Sequence, residues 1–127
     1  QPRLTAYARL LRGRPDEGAH LPADFQSLAR ALRTDHDRSL AEAVRSVKQP
    51  RRRLIAAAVA HRARPRERAL ATIAVRTASR QGWRAALLAW LPVQAQLAAA
   101  AGDAEAAQRA RQRLRWVQNP AKGGQNP

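Results

Sequence analysis

Apolar residues return every three or four positions along nearly the whole chain, the period of a helix that buries one face. Leu4, Tyr7, Ala8 and Leu11 share such a face and predict a helix from about Arg3 to Leu11. Gly13, Pro15 and Gly18 mark a loop that ends near Leu21. Pro22 suits the first turn of a second helix presenting Phe25, Leu28, Ala29 and Leu32. The polar cluster Thr34-Asp35-His36-Asp37 closes it and caps a third, which carries Leu40, Ala41, Val44 and Val47. Lys48-Gln49-Pro50 breaks that helix.

A fourth helix is expected from near Pro50, with Leu54, Ile55, Ala58 and Val59 on its buried stripe. Pro65 separates it from a fifth, where Leu70, Ile73 and Thr77 form the stripe, Ala69 lies beside it, and Gly82 ends the helix. The sixth segment, Trp83 to Ala101, is the most apolar of the chain. Pro92 is expected to kink it or divide it in two, because proline removes a backbone bond and crowds the preceding turn. Gly102-Asp103 makes the next turn. The last helix, Ala104 to about Gln118, buries Ala107, Ala110, Leu114 and Val117. Short connections make neighbours antiparallel, so the expected fold is all-α, a stack of helical hairpins of about six to seven helices. Residues 1–118 form one domain in this reading. Residues 119–127, rich in Gly, Pro and Asn, form a flexible tail.

Composition sharpens the packing mode. Of 57 apolar residues among 127, 30 are Ala and only 8 are Val or Ile, which disfavours a sheet and favours helices packed closely through small side chains. There is no run of the roughly 18 apolar residues that a membrane span needs. The absence of Cys excludes disulfides and thiolate metal sites. A chain that starts at Gln1 and holds no Met is expected to be a processed protein or an excised fragment.

Ala98, Gly102, Asp103 and Ala107 stand at telling positions: a small residue late in one helix, a Gly-Asp turn, and an Ala five residues beyond the Gly. In this arrangement the segment from Ala98 to Leu114 resembles the turn region of a tetratricopeptide repeat, with Pro120 near the repeat's terminal proline. Phe25, Leu28, Ala29, Leu32 and Ala41 follow the same spacing, with His36 where the family has Gly. A weaker match places Ala56, Ala57, Ala60 and Ala69, with Arg64 at the turn. The anchors Ala41, Ala69 and Ala107 lie 28 and 38 residues apart, an irregular register against the repeat length of about 34. The resemblance implies an adaptor or regulator of a larger assembly. Were a leader to precede Gln1, it would further imply a bacterial envelope lipoprotein, in the periplasm or anchored to the outer membrane, serving a cell-wall synthase or a secretion complex.

Charge divides the chain. The formal net charge is +15; residues 1–47 carry +2 and residues 48–127 carry +13. The densest stretch runs from Lys48 to Arg68 and holds Arg51, Arg52, Arg53, Arg62, Arg64, Arg66 and Arg68, opposed only by Glu67. Arg109, Arg111, Arg113 and Arg115 flank the seam of the last helix and look outward. GC-rich coding accounts for Arg in place of Lys but not for the missing acids. These eleven arginines are the expected partner-binding surface. Guanidinium forks suit carboxylates and phosphates, so the expected partner is an acidic protein. The alternative is sequence-independent nucleic-acid binding through the same residues. Anionic lipid is the third ligand such a surface attracts.

No Gly-rich phosphate loop, paired-His zinc motif or nucleophile elbow occurs, and neither catalysis nor a cofactor is expected. Asp35-His36-Asp37 reads as helix capping. His20 and His61 read as surface or loop residues. Trp83, Trp90 and Trp116 read as core fillers rather than base-stacking groups, since aromatics make up only 4% of the chain.

Overall fold

The computed structural model describes residues 23–34 and 37–119. The expected helix from Arg3 to Leu11, the loop with His20, Asp35, His36 and residues 120–127 lie outside the described residues. Within them the chain is all-α. Six helices follow one another: α1 (Ala23–Thr34), α2 (Asp37–Arg45), α3 (Pro50–Ala63), α4 (Arg68–Gln81), α5 (Arg84–Ala100) and α6 (Ala104–Gln118). Each packs against its neighbour in sequence, and α1 also meets α3 while α2 meets α4. Consecutive helices therefore pair as hairpins, α1–α2, α3–α4 and α5–α6.

The ends of the helices show why they stop where they do. Gly82 and Gly102 adopt left-handed φ values of 70° and 80°, which a side chain disfavours. At Gly82 the Trp83 N–H donates to the Ala78 carbonyl (3.0 Å) and the Gly82 N–H to Ser79 (3.3 Å). At Gly102 the Asp103 N–H donates to Ala98 (2.9 Å) and the Gly102 N–H to Ala99 (3.0 Å). Both are Schellman turns, in which the chain's own amides satisfy the last carbonyls. Pro50 occupies the first turn of α3, where its missing N–H costs nothing. The Glu67 carboxylate accepts from the Ala69 N–H (3.2 Å) at the start of α4. Asp103 caps α6 by accepting from the Ala106 N–H (3.2 Å).

Two clusters hold the helices together. The larger gathers Phe25, Leu28, Leu40, Val44, Val47 and Leu70 with the alanines of α1 to α4. The smaller consists of Val75, Ala78, Leu87 and Leu91, with half-buried Trp83, Leu114 and Val117 against it. Trp90 packs against both. Where α5 meets α6, Ala95, Ala98, Ala107 and Ala110 are buried, so methyl groups line the contact between the two helices. Arg84 ties this hairpin's ends by donating from Nε to the Val117 carbonyl (3.1 Å).

The structure corrects four expectations. Ile55 is 38% exposed, because α3 turns Ala56, Ala57, Val59 and Ala60 inward instead. In a helix with alanine on several faces, the stripe with the largest residues need not be the buried one. Of the two outcomes expected at Pro92, a kink or a division, the division does not occur: α5 runs unbroken from Arg84 to Ala100, with Pro92 exposed. Trp116 is 57% exposed, on the outer face of α6 rather than in the core. His61 is neither a loop nor a freely solvated residue. It is half-buried on α3, its ring edge-on to Trp90 at 5.5 Å, with Nδ1 buried and unpartnered.

Candidate functional site: two arginine clefts beside helix α4

The eleven expected arginines are spread over α3, the turn that follows it, the start of α4, and α6. Arg51, Arg52 and Arg53 lie in the first turn of α3, while Arg62 lies in its last. Arg62 lies eleven positions after Arg51 along the helix, a rise of about 16 Å. The stretch that is densest in sequence is therefore split between the two ends of one helix. Arg62 and Arg66 are exposed near the C-terminus of α3, where the helix dipole favours cations. Arg64 ends that helix: its N–H donates to Ala60 (2.8 Å) and its guanidinium reaches the Ala63 carbonyl (3.4 Å).

Arg53 is a structural fastener as well as a cation. Its Nε donates to the Val47 carbonyl (2.8 Å), Nη2 to the Lys48 carbonyl (3.0 Å) and Nη1 to the Thr77 hydroxyl (3.3 Å). It thereby satisfies the carbonyls left open where α2 ends and fixes that end to α4. Thr77, a buried polar residue, donates its own hydroxyl to the Ile73 carbonyl (2.8 Å) and so accepts from Arg53 with a settled geometry.

The first cleft, of about 330 Å³, opens between α4, α5 and α6. Arg68 and Thr72 come from α4, Gln94 and Leu97 from α5, and Arg109 and Arg113 from α6. Arg109 and Arg113 are four apart, hence on one edge of α6, whereas Arg111 and Arg115 fall on the other. All four are exposed. The cations here are partly matched. Arg68 pairs with Asp103 at 3.1 Å, Arg109 lies 3.8 Å from Glu105, and Arg113 donates to the Ser79 hydroxyl. Asp103 is held below the ordinary carboxylate range, first by the Ala106 N–H it caps and then by Arg68. A depressed pKa stabilises the fold above the unfolded value of 3.8, and this contribution is lost as pH falls through the folded value.

The second cleft, of about 280 Å³, lies on the other side of the exposed ridge of α4. Its lining is Arg45 from α2, Arg53 from α3, and Ile73, Arg76, Thr77 and Arg80 from α4. Only Arg53 is among the residues that sequence reasoning singles out. Arg45, Arg76 and Arg80 stand alone in the sequence, outside any run of basic residues, and only the approach of α2 to α4 assembles them. Arg76 and Arg80, four apart on a predicted helix, are the one signal that the sequence offers for it.

Among the described residues no helix is long and apolar enough to cross a membrane. No family model matches this chain, and comparison with curated proteins and with solved structures gives no match.

Proposed function

We propose that this chain is a non-enzymatic protein-interaction module whose first cleft docks an acidic, partly apolar segment of a partner protein. The observation that carries this reading is the mixed lining of that cleft. Arg68, Arg109 and Arg113 stand over Leu97, Ala106 and Ala110, so carboxylates and an aliphatic side chain of one peptide find matching surfaces. Two of the cations are already shared with Asp103 and Glu105, which suits carboxylates that exchange partners better than a densely charged polyanion. The hairpin order of the six helices, and the buried Ala98 and Ala107 astride the Gly102 turn, support a tetratricopeptide-like adaptor.

Anisotropy titrations test this. The probes are a labelled Glu–Leu–Ala helical peptide, its Gln-for-Glu counterpart and a labelled oligonucleotide, at about 50 and 200 mM salt. The acidic peptide is expected to bind, its counterpart to fail, and Arg109→Gln/Arg113→Gln to weaken binding about tenfold. Oligonucleotide binding that is tighter than peptide binding, with a steep salt slope and reliance on Arg51, Arg62 and Arg66, would instead establish nucleic-acid binding as the function.

A further inference from the structure

Four guanidinium groups from three helices line the second cleft, and among the described residues no carboxylate or histidine lines it with them. Arg45, Arg76 and Arg80 make no ion pair among the described residues. Arg76 and Arg80 lie one turn apart on α4, a like-charge spacing that weakens the helix on its own. Arg53 spends three of its five N–H groups on Val47, Lys48 and Thr77, which leaves one donor on each terminal nitrogen. Its position is therefore fixed before any ligand arrives, and such preorganisation removes part of the ordering cost of binding.

We propose that this cleft is a binding site for a phosphate monoester or pyrophosphate group. The charge and its geometry select that chemistry. A single carboxylate offers one negative charge and one plane of acceptors, which one arginine fork matches in charge and meets edge-on. A dianionic phosphate offers a tetrahedron of acceptors and up to two charges, able to meet Arg45, Arg53, Arg76 and Arg80 from different directions. The cleft differs in this respect from its neighbour across α4: among the described residues its cations are unmatched by acids, and only Ile73 supplies an apolar wall. The volume exceeds one phosphate group and leaves room for the rest of a headgroup or a second phosphate.

Calorimetric titration of the full chain with inorganic pyrophosphate, at about 0.1 M salt, reads the site directly. Saturable binding to one site is expected. Arg76→Gln/Arg80→Gln should weaken it about tenfold, while Arg109→Gln/Arg113→Gln, in the other cleft, should change it less than about twofold. Both pairs are exposed, so the variants keep the fold, which a circular-dichroism melt verifies. Binding should also strengthen as pH rises through about 6, where a phosphate monoester in place of pyrophosphate gains its second charge. Vesicles of phosphatidic acid in phosphatidylcholine, beside phosphatidylcholine alone, identify the source. Recruitment that pyrophosphate competes away places the phosphate on a lipid headgroup; pyrophosphate binding without recruitment places it in solution. Wild-type affinity in Arg76→Gln/Arg80→Gln, equal loss in both double variants, or titration without saturation overturns the proposal.

Discussion

Leu70 and Leu91 are both wholly buried, yet their surroundings differ. Leu70 belongs to the larger cluster, where four helices enclose it with other fully buried side chains such as Phe25, Leu40 and Val44. Leu91 belongs to the smaller one, backed mainly by Trp83, Leu114 and Val117, which are themselves only half-buried. The α1–α4 part is closed around large side chains. The α5–α6 hairpin is held by a thin apolar seam and by close methyl contacts between its two helices. A closed core resists collapse around a void, whereas an open one can relax into it. Leu→Ala changes cost about 2–5 kcal/mol, the spread reflecting how far a site collapses. Leu70→Ala should fall in the upper half of that range and Leu91→Ala in the lower half, as measured by denaturant unfolding. Equal losses would erase the distinction between the two regions.

Packing through small side chains is a second feature of the hairpin. Ala107 is 1% exposed and is buried with Ala98 and Ala110 in the contact between α5 and α6. Ala107→Leu adds three carbons where no space is left and should cost about 1–3 kcal/mol by overpacking. Thermal unfolding checks this. An unchanged midpoint would mean that methyl contacts do not set the α5–α6 distance.

These two regions were not equally legible in the sequence. Helix order and ends were, because Pro50, Pro65, Gly82 and Gly102 act through local backbone geometry that any fold must obey. The buried faces of α2 and α4 were too, since Leu40, Val44, Leu70 and Ile73 leave little choice of stripe. The face of α3 was not: with alanine on several sides, the register of Ile55 depends on which neighbours arrive. The division expected at Pro92 fails for a related reason, since a proline on an exposed face of a packed helix need not interrupt it. The clefts divide in the same way. Arg109 and Arg113 follow from spacing on one helix, but their meeting with Arg68 spans 41 positions of sequence. The set Arg45, Arg53, Arg76 and Arg80 exists only once α2 and α4 pack. A run of basic residues such as Arg51–Arg53 draws the eye, yet helical geometry sends its members in different directions, one of them into the Val47–Lys48 junction.

Trp116 gives the smallest effect and the sharpest contrast with the hairpin's other indoles. Trp83 and Trp90 pack against the clusters, whereas Trp116 stands 57% exposed on α6, three residues after Arg113 and seven after Arg109. That spacing puts it on the ridge that borders the first cleft. A side chain so placed contributes little to folding, so Trp116→Ala should change stability by no more than about 0.5 kcal/mol. It also removes the most solvated of the three indoles, so the remaining tryptophan emission should move to shorter wavelength. If Trp116 borders the docking surface as well, affinity for the acidic peptide should drop while the melting temperature holds. A fall in melting temperature comparable to that of Leu91→Ala would instead put this ring inside the seam and make the α5–α6 hairpin as closed as the rest of the molecule.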